Sequence, residues 1–231
     1  MPDRRTHQLV LAHVEGELAA GRLTLGDRLP GERVLAEQLG ISRPSVREAI
    51  RALEVLGVVR TATGSGPEAG AVIVADAAAG LGAALRLHVA TSSVSVADVV
   101  QLRVLVEGWA VREAAARPDD TVLADAAVLL DRMDVEPDPD RFLDLDGDFH
   151  ACLVGLAGNV LVTAVMRSVR GAVRSYVGAG AIRVPDWAAT ATRLRVEHRR
   201  VLDAVRDGDP DTAECEVRAH ITGYYRDSGI G

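Results

Sequence analysis

Hydrophobic side chains recur every three or four residues along most of the chain, which is the spacing of an amphipathic helix. Two short β-prone runs, at residues 58–60 and 71–74, flank a Gly-rich stretch and predict a two-stranded hairpin. The other apolar segments predict helices at residues 6–20, in two parts of 29–57, and at 79–90, 95–116, 120–133, 138–156, 159–177, 185–207 and 210–226. The pattern therefore predicts a mainly α-helical protein.

The stretch from Leu29 to Arg60, LPGERVLAEQLGISRPSVREAIRALEVLGVVR, predicts a helix-turn-helix. Gly40 can adopt the positive φ that the turn needs, and the hydroxyl of Ser42 can cap the next helix. Pro44 falls in the first turn of that helix, where the missing N–H has no intrahelical partner to lose. With the helix at 6–20 before it and the hairpin after it, this segment predicts a winged helix-turn-helix.

The second of these helices predicts an arginine-rich outer face. Val46, Ala49 and Leu53 should face the core, which leaves Arg43, Ser45, Arg47 and Arg51 outward. Arginine can form two hydrogen bonds with a guanine edge in the major groove, and a helix N-terminus attracts phosphate. The alternative interpretation is a solvated helix on which Glu48 pairs with Arg51.

Beyond about residue 78 the pattern predicts an all-helical bundle of about seven helices. We therefore expect two domains, a DNA-binding domain at 1–75 and a helical domain at 76–231. Ser95 and Asp98 have the spacing of a capping box, and Asp209 before Pro210 marks another helix start. We expect Trp109 and Trp187 to be core residues.

Composition and charge limit the functional classes. A chain of 231 residues with 48% hydrophobic and 26% charged residues is typical of a soluble globular protein, and no apolar run is long enough to cross a bilayer. The start of the sequence lacks a signal-peptide core, so we expect a cytoplasmic protein without membrane contact. Cys152 and Cys215 form no CxxC pair, which argues against a disulfide framework or a zinc ribbon.

The net charge of −7 does not exclude DNA binding. Residues 1–75 hold 9 arginines and 9 acidic residues, so the negative excess lies entirely in residues 76–231. Local potential rather than total charge governs the attraction of phosphates, and a neutral domain can gather its arginines on one face.

Four residues of the second domain have the types and the spacing of metal ligands. Asp146 and His150 are four residues apart on one predicted helix, and His198 and His220 each lie 11 residues from Asp209 at the turn of a predicted hairpin. Equal arms place the two histidines level, each about 16 Å from the turn. Three imidazoles and a carboxylate can hold a divalent ion. The alternative is that these are unrelated side chains on helix surfaces.

Arg103 lies among apolar residues of the predicted helix 95–116, where a buried charge needs a partner. Glu107, one turn later, is one possible partner, and the carboxylate of a bound effector is the other. Arg174 is a second candidate for the same pocket.

These segments together resemble the GntR family of bacterial transcriptional regulators and its FadR-type subgroup. The resemblance rests on LPGERVLAEQLGISRPSVREAIRALEVLGVV, LRVLVEGWAVREAAA, DGDFH with LAGN, and EHRRVLDAVRDGDPDTAECEVRAHI. It implies that Asp146, His150, His198 and His220 stand at the family's metal-ligand positions and that Arg103 stands where an effector carboxylate is often contacted. It also implies DNA contacts by Arg33, Ser42, Arg43, Ser45 and Arg47 and by Gly64 or Gly66 at the wing tip. The wing, TATGSGPEAGAVIV, departs from the family pattern because it is longer and carries Glu68.

Our main hypothesis is a homodimeric repressor that binds a palindromic operator in double-stranded DNA. A small carboxylate effector would bind at a divalent metal ion, with Zn²⁺ favoured by the ligand set and Ni²⁺, Mn²⁺ or Fe²⁺ as alternatives. Two other hypotheses are a metal-dependent enzyme fused to a DNA-binding module and a regulator with a metal-free pocket. No sequence motif requires catalytic turnover, so we predict a regulator rather than an enzyme.

Overall fold

The computed structural model describes residues 4–62, 70–74, 76–183 and 186–228, and it describes the side chains of these ranges except at 4–6, 173, 175–183 and 228. The chain divides into two units, Met1–Ala83 and Ala84–Gly231. Among the described residues, no helix is long and apolar enough to span a membrane.

The predicted fold class is confirmed, with helices dominating the described residues and one small antiparallel sheet. The elements of the first part are α1 (Arg4–Ala19), α2 (Glu32–Leu39), α3 (Arg43–Val55), β1 (Val59–Ala62) and β2 (Gly70–Ile73). They are followed by α4 (Ala77–Ala90), α5 (Val96–Ala116), α6 (Asp120–Val135), α7 (Pro139–Leu156), α8 (Val160–Arg183), α9 (Trp187–Arg206) and α10 (Pro210–Ser228). The helix α8 continues six residues past its predicted end at 177.

The turn between α2 and α3 has the geometry that its sequence predicts. Gly40 adopts φ 65° and ψ 33°, and its N–H donates to the carbonyl of Ala36. The hydroxyl of Ser42 then accepts a hydrogen bond from the Ser45 N–H at 3.3 Å, which caps α3. The left-handed glycine and the serine cap together set the direction in which α3 leaves the turn.

The core of the first unit is formed where α1 and α3 meet the sheet. Its buried members are Val10, Val14, Leu29, Ala49, Leu53, Val59, Ala71 and Ile73. The strands β1 and β2 pair in antiparallel register, with Val59 opposite Ile73 and Ala62 opposite Gly70. The predicted tip residues Gly64 and Gly66 lie outside the described residues.

The second unit is a helical bundle whose core is formed by α5, α6, α7, α9 and α10. Its largest fully buried side chains include Phe142, Phe149, Leu130, Met133 and Leu194. The capping box of Ser95 and Asp98 is present at the start of α5, and Asp209 accepts from the Thr212 N–H at 3.1 Å at the start of α10. The polar residues that predict helix starts in the sequence therefore lie at the observed starts of α5 and α10.

One core prediction is wrong. Trp109 is 40% exposed, because it lies on the side of α5 opposite the buried residues Val104 and Val111. Trp187 packs edge-on against the buried Phe142 at a ring-centroid distance of 5.5 Å.

We expect Gly57→Ala to destabilise the first unit. Gly57 has φ 72°, and an added Cβ would lie 2.0 Å from the carbonyl oxygen of Asp76. Left-handed backbone costs an L-residue about 1 to 2 kcal/mol, and the steric clash adds to this cost. Far-UV circular dichroism during urea unfolding should show an earlier transition, whereas tryptophan fluorescence should not, because Trp109 and Trp187 both lie in the second unit.

Gly16→Ala is the matched control, because Gly16 lies within α1 and an added Cβ meets nothing within 4 Å. We expect it to stabilise the unit by about 0.5 to 1 kcal/mol. Equal unfolding midpoints for the two variants would contradict the prediction.

Candidate functional site

The outer face of α3 carries three exposed arginines, Arg43, Arg47 and Arg51, at successive turns of the helix. Arg33 lies nearby in sequence on α2, where it is exposed and donates to Glu37 at 2.8 Å. Ser42 is exposed at the N-terminus of α3. This face combines positive side chains with a helix N-terminus and can therefore attract phosphate groups.

Ser45 does not belong to this outer face, and its predicted outward orientation is wrong. Its residue is only 7% exposed, and its hydroxyl lies 2.8 Å from that of Ser42. Ser45 lies four residues before the buried Ala49 and therefore shares its side of α3, which faces the helix-turn-helix core.

Arg47 forms a contact that the sequence interpretation missed. Its Nε and Nη2 donate to the two carboxylate oxygens of Glu32, at 2.9 and 2.7 Å. The hydrogen bond from Arg47 lowers the pKa of Glu32. Glu32 and Arg47 are on different helices of the helix-turn-helix, so helical periodicity could not reveal this pair.

In the second unit, three helices bring the four predicted metal ligands together. Asp146 and His150 come from α7, His198 from α9 and His220 from α10, and all four are buried. One potential ligand atom from each residue lies within 4.8 Å of those of the others. The tertiary structure thus joins residues that are up to 74 positions apart in the chain.

Two of the distances between these atoms match neighbouring ligands of a single ion, and two are longer. Nε2 of His150 lies 3.1 Å from Nε2 of His220, and Nε2 of His198 lies 3.0 Å from Oδ1 of Asp146. The same oxygen is 3.7 Å from Nε2 of His150 and 3.9 Å from Nε2 of His220. Ligands about 2.1 Å from a metal ion are separated by roughly 3.0 to 3.4 Å when they are neighbours.

In two of the imidazoles, Nε2 faces the centre of the cluster and the second ring nitrogen, Nδ1, faces a carboxylate. Nδ1 of His150 lies 2.5 Å from Oε2 of Glu107, and Nδ1 of His220 lies 2.9 Å from Oε2 of Glu197. Both contacts are short enough for a proton on Nδ1 to face the carboxylate, although the geometry at His150 is not that of a hydrogen bond. With the protons on Nδ1, the two Nε2 atoms face each other with lone pairs, an arrangement that a cation stabilises.

The ring nitrogens of His198 provide a separate observation that fits a metal site. Neither of its ring nitrogens has a hydrogen-bond partner among the described residues, although the side chain is fully buried. Its Nε2 lies near the Asp146 carboxylate, but the geometry is wrong for a hydrogen bond. Buried polar atoms normally have partners, so this nitrogen fits a metal ligand.

The protonation states also suit metal binding. Burial, reinforced by the neighbouring His220, lowers the pKa of His198 to about 3. Burial also lowers the pKa of His150, against the opposing effect of Glu107. Burial would raise the pKa of Asp146, but Arg170 and the neighbouring histidines together hold this pKa well below its usual value. Neutral imidazoles and an ionised carboxylate are the forms that bind metal.

A cavity of about 640 Å³ adjoins this cluster and is lined by Asp146 and His220. Apolar and aromatic walls come from Leu194, Ile221, Tyr224 and Tyr225, and four arginines line it, namely Arg103, Arg167, Arg170 and Arg174. Its volume suits a small molecule, and its arginines favour an anionic one.

The two predicted effector residues both line this cavity, but both also have partners within the protein. Arg103 is buried and donates from Nε to Glu107 at 2.7 Å and from Nη1 to the Tyr225 hydroxyl at 3.2 Å. This is the Glu107 pairing that the sequence offered as one alternative. Arg174 donates to Asp144 at 2.7 Å.

Two further arginines of the cavity were missed. Arg170 donates to Oδ2 of Asp146 at 2.6 Å and to its backbone carbonyl at 3.1 Å, and an added Cβ at Gly147 would lie 3.2 Å from its Nη2. Arg167 is exposed and has no hydrogen-bond or ion-pair partner among the described residues. Helical spacing of Arg167, Arg170 and Arg174 in MRSVRGAVR is the sequence signal that could have identified them.

Comparison with known protein families gives two matches. The model of the FCD domain matches residues 98–223, and the model of bacterial regulatory proteins of the gntR family matches residues 6–68. The HTH-type transcriptional repressor NanR of Cronobacter sakazakii is 27% identical over 231 residues, covering 96% of this chain and 85% of NanR. NanR of Salmonella newport is 29% identical over 235 residues, covering 96% of this chain and 81% of NanR.

Solved structures share the fold. A Streptococcus agalactiae GntR has a TM-score of 0.66 at 22% sequence identity, covering 96% of this chain and 99% of that chain. E. coli McbR/YncC has a TM-score of 0.52 at 16% identity, covering 97% of each chain.

We expect His198→Ala to abolish stoichiometric metal binding, because the substitution removes a buried ligand nitrogen. Replacing a residue that only orients a metal ligand lowers metal affinity by roughly 10- to 100-fold. We expect a larger loss when the ligand itself is removed. Elemental analysis of purified, dialysed protein measures the bound metal. His88→Ala is the control, because His88 is exposed and contacts Ser93 instead of the cluster. Equal metal contents in the two variants would rule out His198 as a ligand.

Proposed function

The chain belongs to the GntR family of bacterial transcriptional regulators with an FCD domain, and from this premise we propose a repressor that responds to a small organic acid. The acid binds beside a divalent ion in the helical domain and changes the affinity for operator DNA. The observation that carries this proposal is the cavity whose wall includes Asp146 and His220 of the buried histidine cluster. The name of the NanR relatives supports repression rather than activation.

Residues 1–75 form the DNA-binding domain in this proposal. The exposed arginines at the N-terminal half of α3 support major-groove readout, with Arg43 and Arg47 reaching base edges and Ser42 and Arg33 contacting the backbone. Glu32 holds the Arg47 guanidinium before DNA is bound, which limits its conformational freedom. Ser45 supports α3 from inside, and Gly64 and Gly66 are the proposed contacts of the wing. A regulator of chromosomal DNA acts in the cytoplasm.

Residues 76–231 form the effector-binding and dimerisation domain. Asp146, His150, His198 and His220 would hold the ion, and three nitrogen ligands with one oxygen favour Zn²⁺, with Ni²⁺, Mn²⁺ or Fe²⁺ as alternatives. The ion supplies a positive charge that a carboxylate can bind directly. A pocket that binds the same acid without metal is the alternative.

The arginines of the cavity would bind the acid. Arg170 already compensates Asp146, Arg174 compensates Asp144, and Arg103 compensates Glu107. Arg167 has no such partner among the described residues, so an incoming carboxylate gains a cation without displacing an internal one. We therefore propose Arg167 as an acid-binding residue, in addition to Arg103 and Arg174.

An exposed apolar row on α5 supports a homodimer. Leu102, Leu105 and Trp109 recur at helical spacing and are 39%, 66% and 40% exposed. A row on one helix can pack against the same row of a second copy across a two-fold axis. Two recognition helices related in this way would bind a palindromic operator.

The matching relatives and structures are transcriptional regulators, and the chain is a regulator rather than an enzyme. The acid alters DNA binding only if it has different affinities for the DNA-binding and the released states. Coupling of about 1 to 3 kcal/mol is typical of such systems.

We expect Arg43→Ala and Arg47→Ala each to reduce base discrimination by about 1 to 3 kcal/mol, because each removes a guanidinium that can bind a guanine edge. The measurement compares affinities for a duplex selected by the wild-type protein from a random library and for single-base variants of it. Arg22→Ala is the control, because Arg22 pairs with Glu17 outside the helix-turn-helix. Unchanged sequence preference in both α3 variants would exclude this face from base readout.

We expect Arg167→Gln to weaken binding of the acid by about tenfold, since a hydrogen bond to a charged group contributes about 1.5 to 3 kcal/mol. A thermal-shift screen of small carboxylic acids on metal-loaded protein identifies the ligand, and calorimetry then measures its affinity. Arg200→Gln is the control, because Arg200 is an exposed arginine of α9 that does not line the cavity. An acid that still shifts the unfolding temperature in the presence of a chelator would favour the metal-free pocket. Equal affinities of Arg167→Gln and Arg200→Gln for the acid would remove Arg167 from the site.

A further inference from the structure

Two carboxylates lie behind the histidine cluster at two separate places in the bundle, one in hydrogen-bond geometry with its histidine and the other in close ion-pair contact. Glu107 belongs to α5 and contacts His150 of α7, whereas Glu197 belongs to α9 and contacts His220 of α10. In both cases Oε2 faces the Nδ1 atom of the imidazole. Each histidine is therefore held by a helix other than its own.

Each carboxylate is in turn held by an arginine on its own helix. Oε1 of Glu107 accepts from Nε of Arg103 at 2.7 Å, and Oε1 of Glu197 accepts from Nη1 of Arg193 at 2.6 Å. Both arginines lie four residues before their glutamate, so they share a helix face with it. One oxygen is fixed by the arginine, which leaves the other free to face the histidine.

We propose that Glu107 and Glu197 are positioning residues of the metal centre, which hold Nδ1–H of His150 and His220 so that both Nε2 lone pairs face the ion. This inference rests on the metal site of the proposed function. Carboxylates behind ligating histidines fix the ring tautomer and increase the basicity of the ligand nitrogen. His198 has no such partner for its Nδ1 among the described residues.

The proposal also gives Arg103 a role that differs from its predicted contact with the effector. Its guanidinium is joined to both Glu107 and Tyr225, and Tyr225 lines the cavity. Arg103 thus connects the cavity wall with the carboxylate behind His150. Arg193, by contrast, has a second acidic neighbour, because its Nη2 lies 3.1 Å from Oδ2 of Asp227.

Glu197→Gln is the cleaner test of the two positions. Glu107 is fully buried against Arg103, so its substitution leaves a buried charge without a partner, whereas Glu197 is partly exposed and Arg193 keeps Asp227. The probe is Co²⁺ alone, whose visible absorption reports ligand geometry and whose dissociation constant is measured by chelator competition. We expect Glu197→Gln to weaken Co²⁺ binding by about 10- to 100-fold and to change the spectrum.

The control is Asp203→Asn, which removes an exposed carboxylate of α9 that pairs with Arg206. We expect this variant to bind Co²⁺ as the wild type does. Circular dichroism establishes whether Glu107→Gln folds. If it folds, we expect it to weaken Co²⁺ binding and to change the spectrum as Glu197→Gln does.

The outcomes separate this inference from the proposed function. Normal Co²⁺ affinity of Glu197→Gln, with an unchanged spectrum, would overturn the positioning role and leave the metal site intact. A wild-type protein that binds no Co²⁺ would overturn both the metal site and the positioning role.

Discussion

The second unit depends on how it stabilises three imidazoles and a carboxylate that are buried within a few ångströms of one another. Removing such groups from water is costly unless each lone pair and each proton has a partner. Nδ1 of His150 and of His220 face Glu107 and Glu197, so their Nε2 atoms point at one another and at Asp146. With the protons on Nδ1, a cation at this point would turn a repulsive arrangement into an attractive one. The four helices that carry these groups, α5, α7, α9 and α10, are thus linked through the site.

This arrangement relates the cavity to the rest of the bundle. Arg170 compensates Asp146 from α8, and Arg103 joins Glu107 to Tyr225 of α10. An acid bound among these groups, as proposed, would change the charges to which several helices respond at once. Coupling between effector and DNA needs a difference of this kind between two states. A network of buried charges is well suited to such coupling, because removing or adding one charge affects every neighbour in a low-dielectric interior.

The first unit uses charge differently. Arg43, Arg47 and Arg51 are exposed at successive turns of α3, and Arg47 is held by the half-buried Glu32. Ion pairs at a surface contribute little to stability, since water screens them. In the proposed function this pair would orient Arg47, because a guanidinium that is already held loses less freedom when it binds a base edge. The helix-turn-helix core beneath this face is small and apolar, and the Ser42–Ser45 pair directs the start of α3.

The sequence by itself determined the elements and much of the candidate site. Helical periodicity, the Gly40 turn, the Ser42 and Asp209 caps and the equal arms around Asp209 depend on local chemistry, so they could be predicted along with the ligand set. Tertiary structure decided what local patterns do not encode. It paired Glu107 with His150 and Glu197 with His220, and it placed Arg170 against Asp146. These contacts depend on which helix faces which, because helix packing brings together residues whose separation in sequence carries no periodic signal. The burial of Ser45 and the exposure of Trp109 follow instead from their positions around α3 and α5.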